Sequence, residues 1–157
     1  DRAKSLTKSL NRFAHSVDSA VENIDVAQLV KDSISLFHYF VKLEGANIVE
    51  NYTCQSHIIR TNPFLLFFLL FKCVRYILQH IGNQRNIVLS TEEGDSFKIF
   101  LSCYLKEDTL EELEPFINSL NKTARPFSIE LKTITTANKT ETSIEITINN
   151  INEGEPR

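Results

Sequence analysis

The sequence is poor in several residues: its 157 positions include no methionine and no tryptophan, four glycines, four prolines and three cysteines. The odd cysteine count, and the lack of zinc-type spacing among Cys54, Cys73 and Cys103, argue against a disulfide framework or a metal site. We therefore expect reduced thiols, a cytoplasmic location and no metal. Because methionine is missing even at position 1, we also expect this sequence to be part of a longer protein.

Clustered positive charge and long membrane-spanning runs are missing as well. The net charge is −3 without a Lys/Arg cluster, so the footprint of a nucleic-acid-binding protein is absent and no such partner is expected. The apolar run from Phe64 to Phe71 is shorter than the roughly 20 residues that cross a bilayer, and Lys72 and Arg75 follow it. We therefore expect no membrane segment in this part of the protein.

That apolar run belongs to a predicted helix that begins at Asn62-Pro63, where a first helical turn accepts a proline. A surface helix keeps one polar face, whereas apolar residues surround almost all of this one. One face is assigned to a sheet and comprises Leu66, Leu69, Leu70, Cys73 and Ile77. The remaining apolar surface must be covered by other elements or must contact a partner.

A second pattern lies at the start of the chain. Leu6, Leu10, Phe13 and Val17 recur at intervals of four, three and four residues, which predicts one narrow apolar stripe on a helix. Such a stripe is typical of a coiled coil or a helical hairpin, but it arrives without its partner. We therefore predict that these four side chains mediate homodimerisation.

The periodicities predict the order helix, helix, strand, helix, two strands, helix, two strands. Two helices carry capping-box patterns, at Asp25 with Gln28 and at Thr109 with Glu112. Residues 150–157 are predicted to be a polar tail. Strands alternating with single helices favour an α+β fold, a two-layer α/β sandwich whose mixed sheet is covered by helices on one face, with a helix at the N-terminus.

This order and three local strings resemble the GHKL superfamily, and within it the ATPase (Bergerat-like) domain of sensor histidine kinases. Residues 9–14 (SLNRFA) are similar to the end of that family's dimerisation hairpin, and residues 24–30 (IDVAQLV) to the entry into its catalytic domain. Residues 62–66 (NPFLL) are similar to the start of the helix that carries the N box. The resemblance implies a hairpin end at residues 1–24, an ATPase-like domain at 25–149 and the tail at 150–157.

The residues that bind nucleotide in that family do not recur at the corresponding positions. The two N-box carboxamides, which hold Mg²⁺, correspond to Lys72 and Tyr76, and neither is an oxygen ligand of that kind. The strand ending at Tyr104 leads to Asp108 without the glycines of the family's Asp-x-Gly-x-Gly box. No glycine occurs between Asp95 and Gly154, so no second glycine-rich box cradles phosphates. We therefore expect no bound cofactor, and we predict that Phe68, Lys72 and Tyr76 occupy or cover a former nucleotide pocket.

Other candidate site residues have simpler explanations. His15 lies on the predicted first helix, where a solvated histidine is favoured over a phosphotransfer role. Cys103 would be a nucleophile only beside a base. Three acidic residues lie at the start of one predicted helix: Glu111, Glu112 and Glu114. Their favourable interaction with the positive end of the helix dipole explains them better than a role in acid–base catalysis.

The resulting hypothesis is a degenerate histidine-kinase-like domain, a pseudokinase rather than an enzyme, that acts in two-component signalling. It would bind a response regulator or a kinase protein, as a scaffold or phosphotransfer partner. A related possibility is a histidine phosphotransferase whose catalytic histidine precedes Asp1. Two alternatives remain open: an active histidine kinase with a divergent nucleotide site, and a plain binding module with only architectural likeness.

Overall fold

The main sheet has five strands in the order β2-β4-β5-β7-β6. The computed structural model describes residues 21–137 and 141–152. Strand β2 is parallel to β4, and the other neighbours are antiparallel. The bounds are β2 Asn47–Asn51, β4 Asn86–Glu93, β5 Phe97–Cys103, β6 Ile129–Thr135 and β7 Thr142–Ile148. A second, two-stranded sheet pairs β1 (Glu22–Asp25) with β3 (Ile58–Thr61); β1 was not predicted from the sequence.

Three α-helices cover one face of the main sheet: α1 (Val26–Leu43), α2 (Pro63–His80) and α3 (Leu110–Ala124). The inward residues of β5 alternate with outward ones, and Phe97, Ile99 and Leu101 are fully buried under the helices. The predicted two-layer sandwich with a mixed sheet is confirmed. The hairpin end predicted at residues 1–24, with the helical stripe of Leu6, Leu10, Phe13 and Val17, lies outside the described residues up to position 20, and residues 22–24 belong to β1.

Helix α1 begins and ends at the residues that its sequence signals indicate. The Asp25 carboxylate accepts a hydrogen bond from the Gln28 backbone N–H at 3.2 Å, as an N-cap does. The Gln28 side chain donates to Asp32 rather than returning to Asp25, so the capping box is only half formed. Gly45 follows the helix with a φ of 73°, a left-handed conformation that glycine adopts without steric cost.

The second predicted capping box, at Thr109 and Glu112, is wrong. A short 3₁₀ turn, Glu107–Thr109, continues directly into α3, so Thr109 has a helical backbone rather than the extended one of an N-cap. Its hydroxyl donates to the Lys106 carbonyl at 2.6 Å instead.

The predicted tail begins later than the sequence indicates. The Ile151 side chain is buried, and its backbone N–H donates to the Arg60 carbonyl at 3.0 Å. The Asn150 side chain accepts a hydrogen bond from the Arg60 N–H at 2.9 Å. Residues 150–152 therefore fasten the end of the main sheet to β3, and the packed chain extends past the predicted limit at 149.

The outer edge of β6 is closed by a side chain of α3. The amide of Asn121, itself buried, donates to the Leu131 carbonyl and accepts from the Leu131 N–H, both at 2.8 Å. These two bonds replace those that a further strand would make, so the edge is satisfied at its centre.

Candidate functional site: a filled pocket between α2 and α3

Helix α2 is the central helix of the layer, and its first turn sets its direction. The Asn62 side chain accepts from the Leu65 N–H at 3.0 Å, and Pro63 occupies the first helical position. The predicted sheet-facing set is fully buried: Leu66, Leu69, Leu70, Cys73 and Ile77. By length and composition α2 would pass as a membrane span, but half of that window is buried inside the domain, as in a core helix.

Tyr76 fills the space between α2 and α3. Its ring stacks on Phe116 of α3, with centroids 4.3 Å apart and planes 16° apart, and it also contacts the His80 ring at 4.3 Å. Its hydroxyl donates to the Thr109 carbonyl at 3.5 Å. Burial, with the nearby Glu112 charge, raises the Tyr76 pKa, so the phenol stays neutral. We call Tyr76, His80 and Phe116 the aromatic stack.

Phe68 and Lys72, which the sequence groups with Tyr76, lie elsewhere on α2. Both are partly exposed, and the Lys72 ammonium lies 5.7 Å from the centre of the Phe68 ring. They precede Tyr76 by two turns and one turn on the same helical stripe, and of the three it is Tyr76 whose ring stacks on Phe116 of α3. The structure therefore joins Tyr76 with two residues that the sequence did not single out, Phe116 and His80, rather than with Phe68 and Lys72.

The connection from β5 to α3 is short and fastened to the end of α2. Only residues 104–109 join the two elements. The Tyr104 carbonyl accepts from the Gly82 N–H, and the Lys106 N–H donates to the His80 carbonyl, both at 2.8 Å. A Cβ on Gly82 would lie 3.3 Å from the Tyr104 oxygen, so this close approach favours glycine.

Asp108, the sequence's candidate for an adenine-binding carboxylate, is exposed in the 3₁₀ turn before α3. Glu111 and Glu112 lie in the first turn of that helix, where acidic side chains complement the dipole. Glu114 accepts a hydrogen bond from the Thr133 hydroxyl at 3.3 Å. These positions agree with structural roles for all four carboxylates.

The described histidines do not meet one another. His38 contacts Glu50 and His57 contacts Glu93, each at 3.3 Å, while His80 belongs to the aromatic stack. Within residues 21–137 and 141–152, no group of three His, Cys, Asp or Glu side chains could hold a metal ion. His15 lies outside the described residues.

The cysteines are not poised as nucleophiles. Burial raises the pKa of Cys73 to about 12, and burial with the Glu141 charge raises that of Cys103 to about 12. Both thiols therefore stay protonated at neutral pH. Cys103 is a small core residue at the end of β5.

Solved structures that share this architecture include domains and longer segments of histidine kinases. The catalytic domain of ThkA aligns with a TM-score of 0.67 at 10% identity, covering 82% of this chain and 96% of that one. The cytoplasmic segment of QseC aligns at 0.63 and 12% identity, covering 96% of this chain and 95% of that one. AdeS of Acinetobacter baumannii aligns at 0.63 and 11% identity, covering 93% and 77%. This chain has the histidine-kinase ATPase-domain fold.

The likeness is one of structure rather than sequence. No family model matches this chain, and no curated protein matches it. Among the structural neighbours, full-length ShkA was solved in complex with AMPPNP and aligns with a TM-score of 0.62 at 10% identity, covering 92% of this chain and 35% of that one. The neighbours thus establish the GHKL fold of this chain, and its chemistry depends on its own side chains.

Proposed function

We propose that this chain is a degenerate GHKL-type domain of two-component signal transduction, a cytoplasmic pseudokinase that acts through protein–protein contact without binding ATP. Its partner would be a response regulator or a kinase protein, for which it serves as a scaffold or as the attached domain of a phosphotransferase. The N-terminal stripe would supply a homodimer contact.

The observation that supports this proposal is the aromatic stack. In the family that the sequence resembles, the helix corresponding to α2 approaches the nucleotide phosphates and the Mg²⁺ ion. Here that side of α2 carries Tyr76, whose ring is sealed against Phe116 and tied to the backbone at Thr109. Admitting a nucleotide would require separating two stacked rings and exposing the apolar surface between them.

The short connection between β5 and α3 supports the same proposal independently. Backbone hydrogen bonds fasten residues 104–106 to the end of α2. A lid that closes over a nucleotide needs a segment that can change its backbone conformation, and glycine-rich loops normally provide it. This connection has six residues, no glycine and fixed ends.

Nucleotide titration tests the proposal directly. A ligand present at 100 times its dissociation constant stabilises the folded state by about 2.7 kcal/mol, which for a domain of this size raises the melting temperature by several degrees. We expect no shift with 1 mM ATP and Mg²⁺, while ShkA, measured in parallel, responds to AMPPNP. A Mg²⁺-dependent shift would support the alternative, an active kinase with a divergent nucleotide site.

A further inference from the structure

The outer edge of β6 is closed where Asn121 reaches it and open further along the strand. The Asn121 amide bonds to both backbone groups of Leu131, so the N–H and C=O of Leu131 point away from β7. The register of β6 with β7 is continuous over all seven residues of β6. In an antiparallel pair, successive residues direct their backbone groups alternately toward the partner strand and away from it. Thr133 and Thr135 therefore share the outward direction of Leu131.

Two backbone hydrogen bonds beyond the ends of β6 agree with this alternation. The Thr136 N–H donates to the Glu141 carbonyl at 3.0 Å. The Asn149 N–H donates to the Ser128 carbonyl at the same distance. Even-numbered positions thus bond toward β7, and odd-numbered positions face outward. Within residues 21–137 and 141–152, no hydrogen bond ends on the outward backbone groups of the two threonines.

A groove lies along this open part of the edge. Its volume is about 470 Å³, and the end of β6 and the N-terminal part of α3 line it. The Thr133 side chain faces α3, because its hydroxyl donates to the Glu114 carboxylate at 3.3 Å. Thr135, two residues on, faces the same side. We define the β6 edge groove by four of its lining residues: Glu111, Glu114, Thr133 and Thr135.

We propose that the β6 edge groove binds an extended, basic segment of a partner protein, which adds to the main sheet as a strand beside β6. In strand addition of this kind, main-chain hydrogen bonds supply affinity and alternate side chains supply specificity. Thr133 and Thr135 lie about 7 Å apart along the strand, so a three-residue stretch pairs with both. This inference goes beyond the function proposed above and does not depend on whether nucleotide binds.

The charge of the groove selects the basic segment. Glu111 and Glu114 are exposed, and the described part of the chain gives neither carboxylate an ion-pair partner. Partner residues opposite Thr133 and Thr135 would direct their side chains to the α3 side of the sheet, as the two threonines do. Lysine or arginine at these two positions would therefore meet the two glutamates.

The other side of the sheet selects an apolar residue between the two basic ones. Ile134 alternates with the two threonines, so it faces away from α3, and it is 45% exposed. A partner residue directly opposite Ile134 would point to the same side and pack against it. The segment that fits the groove therefore alternates basic, apolar and basic residues.

A second copy of this chain fits the groove poorly. Pairing β6 with β6 of another copy would continue the sheet, so the acidic walls of both copies would lie on the same side. Like charges placed opposite each other destabilise a strand pair. Asn121 also restricts pairing to the end of β6, because it already occupies Leu131. A short segment of opposite charge avoids both costs.

Peptide titration of the full chain, followed by fluorescence anisotropy at 0.15 M salt, tests the charge preference. The probe is a capped seven-residue peptide of alternating lysine and valine. It should bind at least about tenfold more tightly than the same peptide with glutamate in place of lysine. Equal affinities for the two peptides would overturn the proposal.

Paired glutamate variants locate the preference. Glu111→Gln with Glu114→Gln should weaken binding of the lysine peptide about tenfold. Glu107→Gln with Glu112→Gln removes the same charge from residues outside the groove, and it should change the affinity by less than about twofold because salt screens distant charges. Equal losses in the two double variants would indicate general charge attraction and would overturn the proposal.

The role of the sheet edge is tested by removing backbone donors. Thr135→Pro deletes an outward N–H without removing a bond to β7, and it should weaken binding about tenfold, whereas Thr135→Ala should bind as the wild type does. If Thr135→Pro does not fold, a peptide methylated at every amide nitrogen replaces it and should not bind the wild-type chain. Unchanged affinity in either experiment would contradict strand addition.

Amide hydrogen exchange, followed residue by residue by NMR, locates the bound peptide. In the free chain, the amides of Thr133 and Thr135 should exchange about tenfold faster than those of Lys132 and Ile134, which bond to β7. Saturating peptide should slow exchange at both threonines about tenfold. Unchanged exchange in the complex would overturn the proposal. Protection that rises with protein concentration in the absence of peptide would overturn it too, because a second copy would then occupy the groove.

Discussion

Truncation of Tyr76 to alanine is the perturbation that most directly tests the filled pocket. The side chain is 8% exposed and its ring is stacked between Phe116 and His80. Removing a buried aromatic ring costs about 3–5 kcal/mol, which combines the lost transfer free energy with the cavity left behind. The hydroxyl contact to Thr109 is long, at 3.5 Å, and adds little. We therefore expect about 3 kcal/mol of lost unfolding free energy.

Urea unfolding monitored by circular dichroism measures this loss. With a slope of about 2 kcal/mol per molar urea, the midpoint should fall by about 1.5 M. Tyr76→Phe separates the ring from the hydroxyl and should cost about 1 kcal/mol or less. Tyr104→Ala is a matched control, because that ring is 37% exposed beside the same connection, and its midpoint should change by a small fraction of the Tyr76→Ala shift.

The opposite result would be informative about function. Binding and catalytic sites are often kept at a cost in stability, so truncating a residue that merely lines an open ligand site can be neutral or stabilising. If Tyr76→Ala unfolds at the wild-type urea midpoint, the ring is not a packed filler and the proposed loss of the nucleotide site is refuted. A variant that is destabilised yet gains no affinity for Mg²⁺–ATP would support the loss of the remaining nucleotide contacts as well.

Three further predictions concern the parts of the domain around this pocket. Asn121→Ala should cost about 3 kcal/mol in urea unfolding, because it leaves a buried N–H and a buried C=O on β6 without partners; Asn118→Ala, exposed on the same helix, should cost under about 0.5 kcal/mol. Burial alone would raise the Asp25 pKa, but hydrogen bonds from backbone and hydroxyl donors outweigh it and lower the pKa below 3.8. The ionised Asp25 therefore stabilises the fold above that value, and this stability is lost as pH falls through the lowered pKa. Asp25→Asn should make the unfolding free energy, measured by urea unfolding from pH 6 to 2, fall less steeply with decreasing pH. An unchanged pH dependence would contradict this prediction. In the folded protein at pH 7.5, the thiols of Cys73 and Cys103 should not react with a maleimide, and they should react once urea unfolds the chain. Mass spectrometry of the labelled protein measures this. Rapid labelling of the folded protein would contradict the prediction.

Much of the layer architecture could be predicted because it depends on local patterns. The cap at Asp25 and the proline at the start of α2 each act within a few residues, and the structure confirms both. The buried face of α2 followed from helical periodicity alone. The Thr109 prediction failed for a local reason too, since a 3₁₀ turn preceding α3 kept its backbone helical.

The candidate site could be predicted only in part. The sequence singled out α2 and predicted that Tyr76 lies at a former nucleotide pocket; the structure shows the Tyr76 ring packed on Phe116 of α3. It also grouped Phe68 and Lys72 with Tyr76, because neighbouring positions on a helix do not reveal which adjacent element each side faces. Their separation became visible only from tertiary contacts, because Tyr76 stacks on Phe116 of α3 whereas Lys72 lies over the Phe68 ring.

By itself, the sequence determined which segments form most of the helices and strands, which faces are apolar, and that no glycine occurs between Asp95 and Gly154. The tertiary structure alone decided that Phe116 seals Tyr76, that Asn121 closes the edge of β6, and that Ile151 returns to β3. The features that the sequence determined depend on backbone geometry and on side-chain periods of two and 3.6 residues, which involve only residues close together in sequence. The features that the tertiary structure decided depend on contacts between residues ten to ninety-one positions apart, whose partners are chosen by packing of the whole domain.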